Sequence, residues 1–93
     1  MTVELELDGS TRPPTSEEHQ VIERMRAMLI SEPMGWNRLT WRPPLSGNAL
    51  VVKPSCTACA VQGLPILVPS AAPNEAGLRA HVEKLGTHSC PAA

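Results

Sequence analysis

Cys56 and Cys59 stand two residues apart in SCTACA, and the third cysteine, Cys90, lies far along the chain in LRAHVEKLGTHSC together with His81 and His88. Thiolate and neutral imidazole are the donors that a Zn2+ ion takes in a tetrahedral, four-ligand site. A two-residue gap on a tight turn lets both sulfurs of a cysteine pair reach one ion. The second pair then has to come from His81, His88 and Cys90, which cluster on or just after the last predicted helix. With four donors supplied by the protein, no position is left for water, so such a site is structural rather than catalytic and its metal stabilises the fold directly.

Three other chemistries compete for the same residues. A thioredoxin-like redox pair needs its first cysteine at the start of a helix in a βαβ unit, whereas VQGLP, soon after Cys59, cannot continue a helix. A Cys90 and His88 catalytic dyad would sit three residues from the end of the sequence, without a rigid frame to hold a nucleophile in place. Inert, buried thiols are the third possibility.

The elements that must position these donors are short. Ten prolines and six glycines divide 93 residues, and with no Phe and no Tyr the only large aromatic side chains are Trp36 and Trp41. A single domain of this size has a narrow margin of stability and commonly recruits a staple. VELEL alternates apolar and acidic residues and reads as an edge strand or an acidic tail over residues 1–14. Thr15 with Glu18 forms a capping-box pattern that opens a helix from about Ser16 to Ile30, closed by Pro33. Val21, Ile22, Met25, Met28 and Leu29 make one face of that helix; His19 falls off it and is expected in solvent.

GWNRLTWRPP follows as an extended segment, completing a unit over 15–48. ALVVK at 49–53 and PILV at 65–68 read as two strands of a hairpin carrying the cysteine pair. Asn74 caps a last helix to about Leu85, with Leu78, Val82 and Leu85 as its apolar face, and Gly86 supplies the stop. The expected fold is therefore α+β, one zinc-stabilised domain made of an N-terminal amphipathic helix, a short β-hairpin with the CxxC, and a C-terminal helix.

Hairpin, cysteine pair, Leu78-x-x-His81 and a later His88 together resemble the two-cysteine, two-histidine zinc finger, a ββα unit, over residues 49–90. The resemblance implies Cys56, Cys59, His81 and His88 as ligands, with Leu78 as the core leucine. The chain departs from it in spacing, with 21 residues between Cys59 and His81 and six between His81 and His88, against about twelve and three to five in that family. A set using His88 and Cys90, with His81 left in the core, stays open on the residues alone. At the helix positions through which such fingers read bases, the chain has Asn74, Gly77 and Ala80, and only Asn74 has a side chain that reaches a base edge.

Net charge is −1, which gives no general attraction to phosphate backbones or anionic lipid. The acidic start lacks the features of a secretory signal, and no run reaches membrane-spanning length, so a cytoplasmic setting is expected. No glycine-rich phosphate loop or catalytic carboxylate pair is present. These features point to a non-enzymatic zinc-binding module for protein–protein interaction, an adaptor, regulator or assembly subunit. The partner surface is expected where the Met25 and Met28 helix face meets Trp36 and Trp41. The alternative is a nucleic-acid-binding regulator using Arg38, Arg42, Lys53 and the two tryptophans.

Overall fold

The computed structural model describes residues 2–9, 12–71 and 74–90. Six elements follow one another: β1 (Glu4–Leu7), α1 (Ser16–Ser31), β2 (Arg38–Arg42), β3 (Ala49–Ser55), β4 (Ile66–Pro69) and α2 (Glu75–Glu83). The strands form one sheet in the order β1-β2-β3-β4. β1 runs parallel to β2, with Leu5 opposite Leu39 and Leu7 opposite Trp41, while the other two pairings are antiparallel. A parallel pair needs a long crossover, and α1 provides it.

This architecture corrects the expected fold. The hairpin of β3 and β4 exists, but it is half of a four-stranded mixed sheet whose other half comes from VELEL and from the Trp/Arg segment. The pairing of β1 with β2 joins residues 34 apart, as in Leu5 with Leu39, so neither strand carries a local signal of its partner.

Alternation along the strands sorts the two faces of the sheet. Leu39 and Trp41 of β2, Leu50 and Val52 of β3 and Val68 of β4 are buried on one face, where they meet Val21, Ile22, Met25 and Leu29 of α1 and Leu78 and Val82 of α2. Met25, Met28, Trp36 and Trp41 all belong to this core, so the partner surface expected from them does not exist. In a chain without Phe or Tyr, both indoles are needed inside. His19, exposed on α1, meets Trp41 edge-on with ring centroids 5.2 Å apart.

The opposite face of the sheet is open and mixed in character. Arg38 lies 2.9 Å from Glu4 and 3.6 Å from Glu6, and Arg42 lies 4.0 Å from Asp8. Exposed pairs of this kind add about 0–1 kcal/mol each, so their effect is on surface charge rather than stability. β4 forms one edge. Ser70 N–H donates to the Asn48 carbonyl, which sets Ile66 and Val68 toward β3 and Leu67 and Pro69 outward. Leu67, between Pro65 and Pro69, offers that edge a single amide donor, which discourages addition of a further strand.

Helix α1 starts as its capping box predicts. Glu18 N–H donates to the Thr15 hydroxyl at 3.2 Å, and Thr15 N–H donates to the Glu18 carboxylate at 2.8 Å. Both carboxylate oxygens also accept from Arg12, at 2.9 and 2.8 Å, while Arg12 Nε donates to the Pro44 carbonyl. Glu18 is only 3% exposed, and this network ties the helix start to the β2–β3 connection. The Arg12 hydrogen bond holds the Glu18 carboxyl down to about 2 from its usual 4.5, assisted by the Thr15 amide and opposed by burial.

Because the folded value lies below the unfolded one, the stabilisation is complete above about pH 4.5 and fades as pH falls toward about 2. Glu18→Gln should lower unfolding free energy by about 1–3 kcal/mol at pH 7. The difference from the parent should shrink through that acidic window. Urea unfolding of both proteins at a series of pH values measures it; a gap that stays constant down to pH 2.5 contradicts the assignment.

Candidate metal centre

The cysteine pair sits where β3 ends. Ser55 bridges to Gln62, Cys56 N–H donates to the Val61 carbonyl at 2.9 Å, and Gly63 N–H donates to the Pro54 carbonyl at 2.9 Å. Between them residues 57–59 form a turn, and Ala60 takes φ +61°, the left-handed conformation that lets the chain double back. Pro54 is tolerated inside β3 because its carbonyl, not an amide hydrogen, is what this turn uses. Asn37 buttresses the turn from the β2 side. Its Oδ1 accepts from Thr57 N–H and its Nδ2 donates to Thr57 Oγ1, both at 2.9 Å.

The other donors arrive from beyond α2. Asn74 caps this helix through Gly77 N–H, and Gly86, at φ +74°, turns the chain out of the helical path. The tail then crosses to the cysteine turn. His88 N–H donates to the Met34 carbonyl at 2.7 Å, the His88 ring lies on Trp36 with centroids 4.6 Å apart and planes 18° from parallel, and Trp36 Nε1–H donates to the Gly86 carbonyl at 2.8 Å. Thus Trp36 fixes both the turn that redirects the tail and the face of the imidazole.

Four donor atoms converge: the sulfurs of Cys56, Cys59 and Cys90 and a ring nitrogen of His88 all lie within 4.8 Å of one another. Cys56 Sγ is 3.4 Å from Cys90 Sγ, Cys59 Sγ is 3.2 Å from His88 Nε2, and Cys90 Sγ is 3.7 Å from the same nitrogen. A zinc tetrahedron with its usual bond lengths has edges of about 3.8 Å between two sulfurs and about 3.6 Å between sulfur and nitrogen. The cluster therefore has the size and the donor chemistry of a Cys3His metal site.

His81 is not among the four. It lies on α2, beside the face that Leu78 and Val82 press into the core, and its Nδ1 is buried without a hydrogen-bond partner among the described residues. The ligand set inferred by likeness to the ββα finger thus gives way to the set of His88 and Cys90. In that finger the helix itself faces the cysteines. Here the helix is committed to packing against α1, and the segment after Gly86 makes the approach.

Hydrogen bonding among the sulfurs separates their acidities. Cys56 is held down to about 6, first by Cys90 and then by the backbone amides of Cys59 and Ala58, while Cys90 is pushed up to about 12 by Cys56 and Cys59. Coordination deprotonates a thiol outright, so a cation arriving at this cluster would displace the protons its thiols carry. Exposure is graded as well: Cys56 is buried, Cys59 half-buried and Cys90 exposed.

No protein-family model, no curated protein and no solved structure matches this chain.

Gly35 generates a direct test of the tail's placement. It has φ +94°, and a Cβ built on it would lie 1.7 Å from the His88 carbonyl oxygen, a separation only backbone movement relieves. Gly35→Ala should displace His88, and zinc affinity should fall by at least about tenfold, the scale seen when groups that orient a ligand are lost. Competition with a chromogenic chelator measures it; unchanged affinity would mean that the tail does not sit against Gly35.

Proposed function

We propose that this chain is a non-enzymatic domain whose fold is completed by one structural Zn2+ ion held by Cys56, Cys59, His88 and Cys90, and that it serves protein–protein interaction. The observation that carries the reading is the convergence of four soft donors from two distant segments. A set of four protein ligands leaves no open position for substrate or water, which is the signature of a structural site. Binding zinc also closes the chain between Cys56 and Cys90, which are 34 residues apart. By the loop-closure relation a cross-link of that span is worth about 4 kcal/mol, a large part of the stability of a small domain.

A partner-binding role rests on what the core leaves outside. Leu64 and Leu67, beside and on β4, are 83% and 65% exposed, whereas the Met and Trp side chains are not available. The nucleic-acid alternative loses its support from the same face, because Arg38 and Arg42 are met by Glu4, Glu6 and Asp8, and Lys53 donates to Gln62. Among the described residues no helix is long and apolar enough to cross a membrane.

The purified chain should carry about one zinc per molecule, and a chelator should lower its melting temperature by about 15 °C or more. His88→Ala should lose the metal, whereas His81→Ala should keep it. Metal analysis alongside thermal unfolding reads both. A chain equally stable with and without chelator sinks the reading, and zinc lost from His81→Ala but kept by His88→Ala reverses the ligand assignment.

A further inference from the structure

We propose that Cys90 is a peroxide-sensitive modification site through which oxidation expels the zinc ion, with Cys56 as the resolving thiol. The inference rests on the zinc reading above and adds a chemistry to the same cluster. Three observations carry it: the three sulfurs differ in exposure, two of them are nearly in contact, and the exposed one belongs to the segment that has to fold back to the site.

Oxidant arriving from solvent meets Cys90 first. Cys56 is 3% exposed and belongs to the core cluster, Cys59 is half-buried, and Cys90 is exposed. Susceptibility to peroxide follows thiolate character and access, and zinc coordination keeps the sulfur as a thiolate while leaving its outer side open. Cys90 also lies on the tail beyond Gly86, whose backbone is anchored by the hydrogen bond of His88 to Met34. The cysteine pair, by contrast, is fixed in a turn held by Val61, Asn37 and the bridge to Gln62.

Geometry selects the second sulfur. Cys56 Sγ and Cys90 Sγ are 3.4 Å apart, and a disulfide requires about 2.05 Å, a shift that a tail residue makes more easily than the turn. In the first step the Cys90 thiolate attacks hydrogen peroxide. A sulfur–oxygen bond forms, the oxygen–oxygen bond breaks, and hydroxide leaves to take a proton as water. Cys90 is then a sulfenic acid. In the second step the Cys56 thiolate attacks the Cys90 sulfur, the sulfur–oxygen bond breaks, and a second hydroxide leaves as water after protonation. Two thiolates have lost two electrons and peroxide has gained them. Zinc retains only Cys59 and His88 from the cluster and dissociates.

Hydrogen peroxide added to the zinc-loaded full chain tests this, with released metal followed by a chromogenic chelator and disulfides mapped on non-reduced tryptic peptides. Cys56 and Cys59 share the peptide 39–79, and Cys90 lies on 85–93. The expected result is zinc release in step with a cross-link between those peptides through Cys56, reversed by dithiothreitol and added zinc. Cys90→His, which keeps a zinc donor but removes the exposed sulfur, should release its metal at least about tenfold more slowly.

The proposal is overturned if zinc stays bound while the thiols remain unmodified, or if release is accompanied by a disulfide within 39–79 with Cys90 still open to alkylation. A cross-link through Cys59, or Cys90→His losing zinc as fast as the parent, would overturn it too. Should Cys90→His bind no metal, the peptide map of the parent decides alone. A parent chain that carries no zinc before peroxide is added is a separate result and refutes the underlying metal reading instead.

Discussion

A ring contact joins His88, one of the candidate metal donors, to a hydrophobic core that already contains Cys56. The His88 imidazole lies flat on Trp36, its Nε2 faces Cys59, and the same indole donates to Gly86 where the tail leaves the helix. Trp36 is itself buried at 5% exposure, so core packing sets the plane in which the imidazole can present its nitrogen. The dependence runs both ways. A core without Phe or Tyr has few large side chains to hold α2 and the tail against the sheet, and a cation that fixes His88 also fixes one wall of that core. A cation at this cluster would therefore act on the packing as one unit with the core rather than as an ion attached to a finished fold.

Local chemistry was readable from the chain, and long-range pairing was not. The capping box of Thr15 and Glu18, the Asn74 cap, the stop at Gly86 and the turn character of CTAC all depend on residues within a few positions of one another, and each stands where the pattern places it. The union of β1 with β2 depends instead on α1 returning the chain across the sheet, so VELEL looked as much like a tail as a strand. The burial of the tryptophans is likewise not a local property: Trp41 lies in β2 and Trp36 precedes it, and which side of that strand faces water is not set until the sheet has a covered face.

Three of the four donors were legible, Cys56 and Cys59 from their spacing and His88 because both candidate sets contain it. Between His81 and Cys90 the choice turned on which way α2 faces. Likeness to a ββα finger favours a helical histidine because in such a unit the helix has nothing to pack on except the hairpin. Here α1 supplies a larger apolar partner, α2 turns Leu78 and Val82 toward it and the sheet, and the histidine next to that face has no route to the cysteine turn.

A site assembled in this order has unequal ligands by construction. Cys56 and Cys59 are joined by a turn of two intervening residues and are oriented by neighbouring hydrogen bonds, so their sulfurs are close before any metal arrives. His88 and Cys90 are brought in by a tail that has to be folded back after Gly86, and bringing distant segments together costs more chain entropy than closing a short turn. For a bound cation, affinity would then depend on the preformed pair, whereas the lifetime of the complex would depend on the tail, which supplies the exposed thiol. Of the three thiols, Cys90 is the exposed one. Were the cluster to hold zinc, the stability the ion would lend the fold and the ease of its loss would accordingly be set at different places in the sequence.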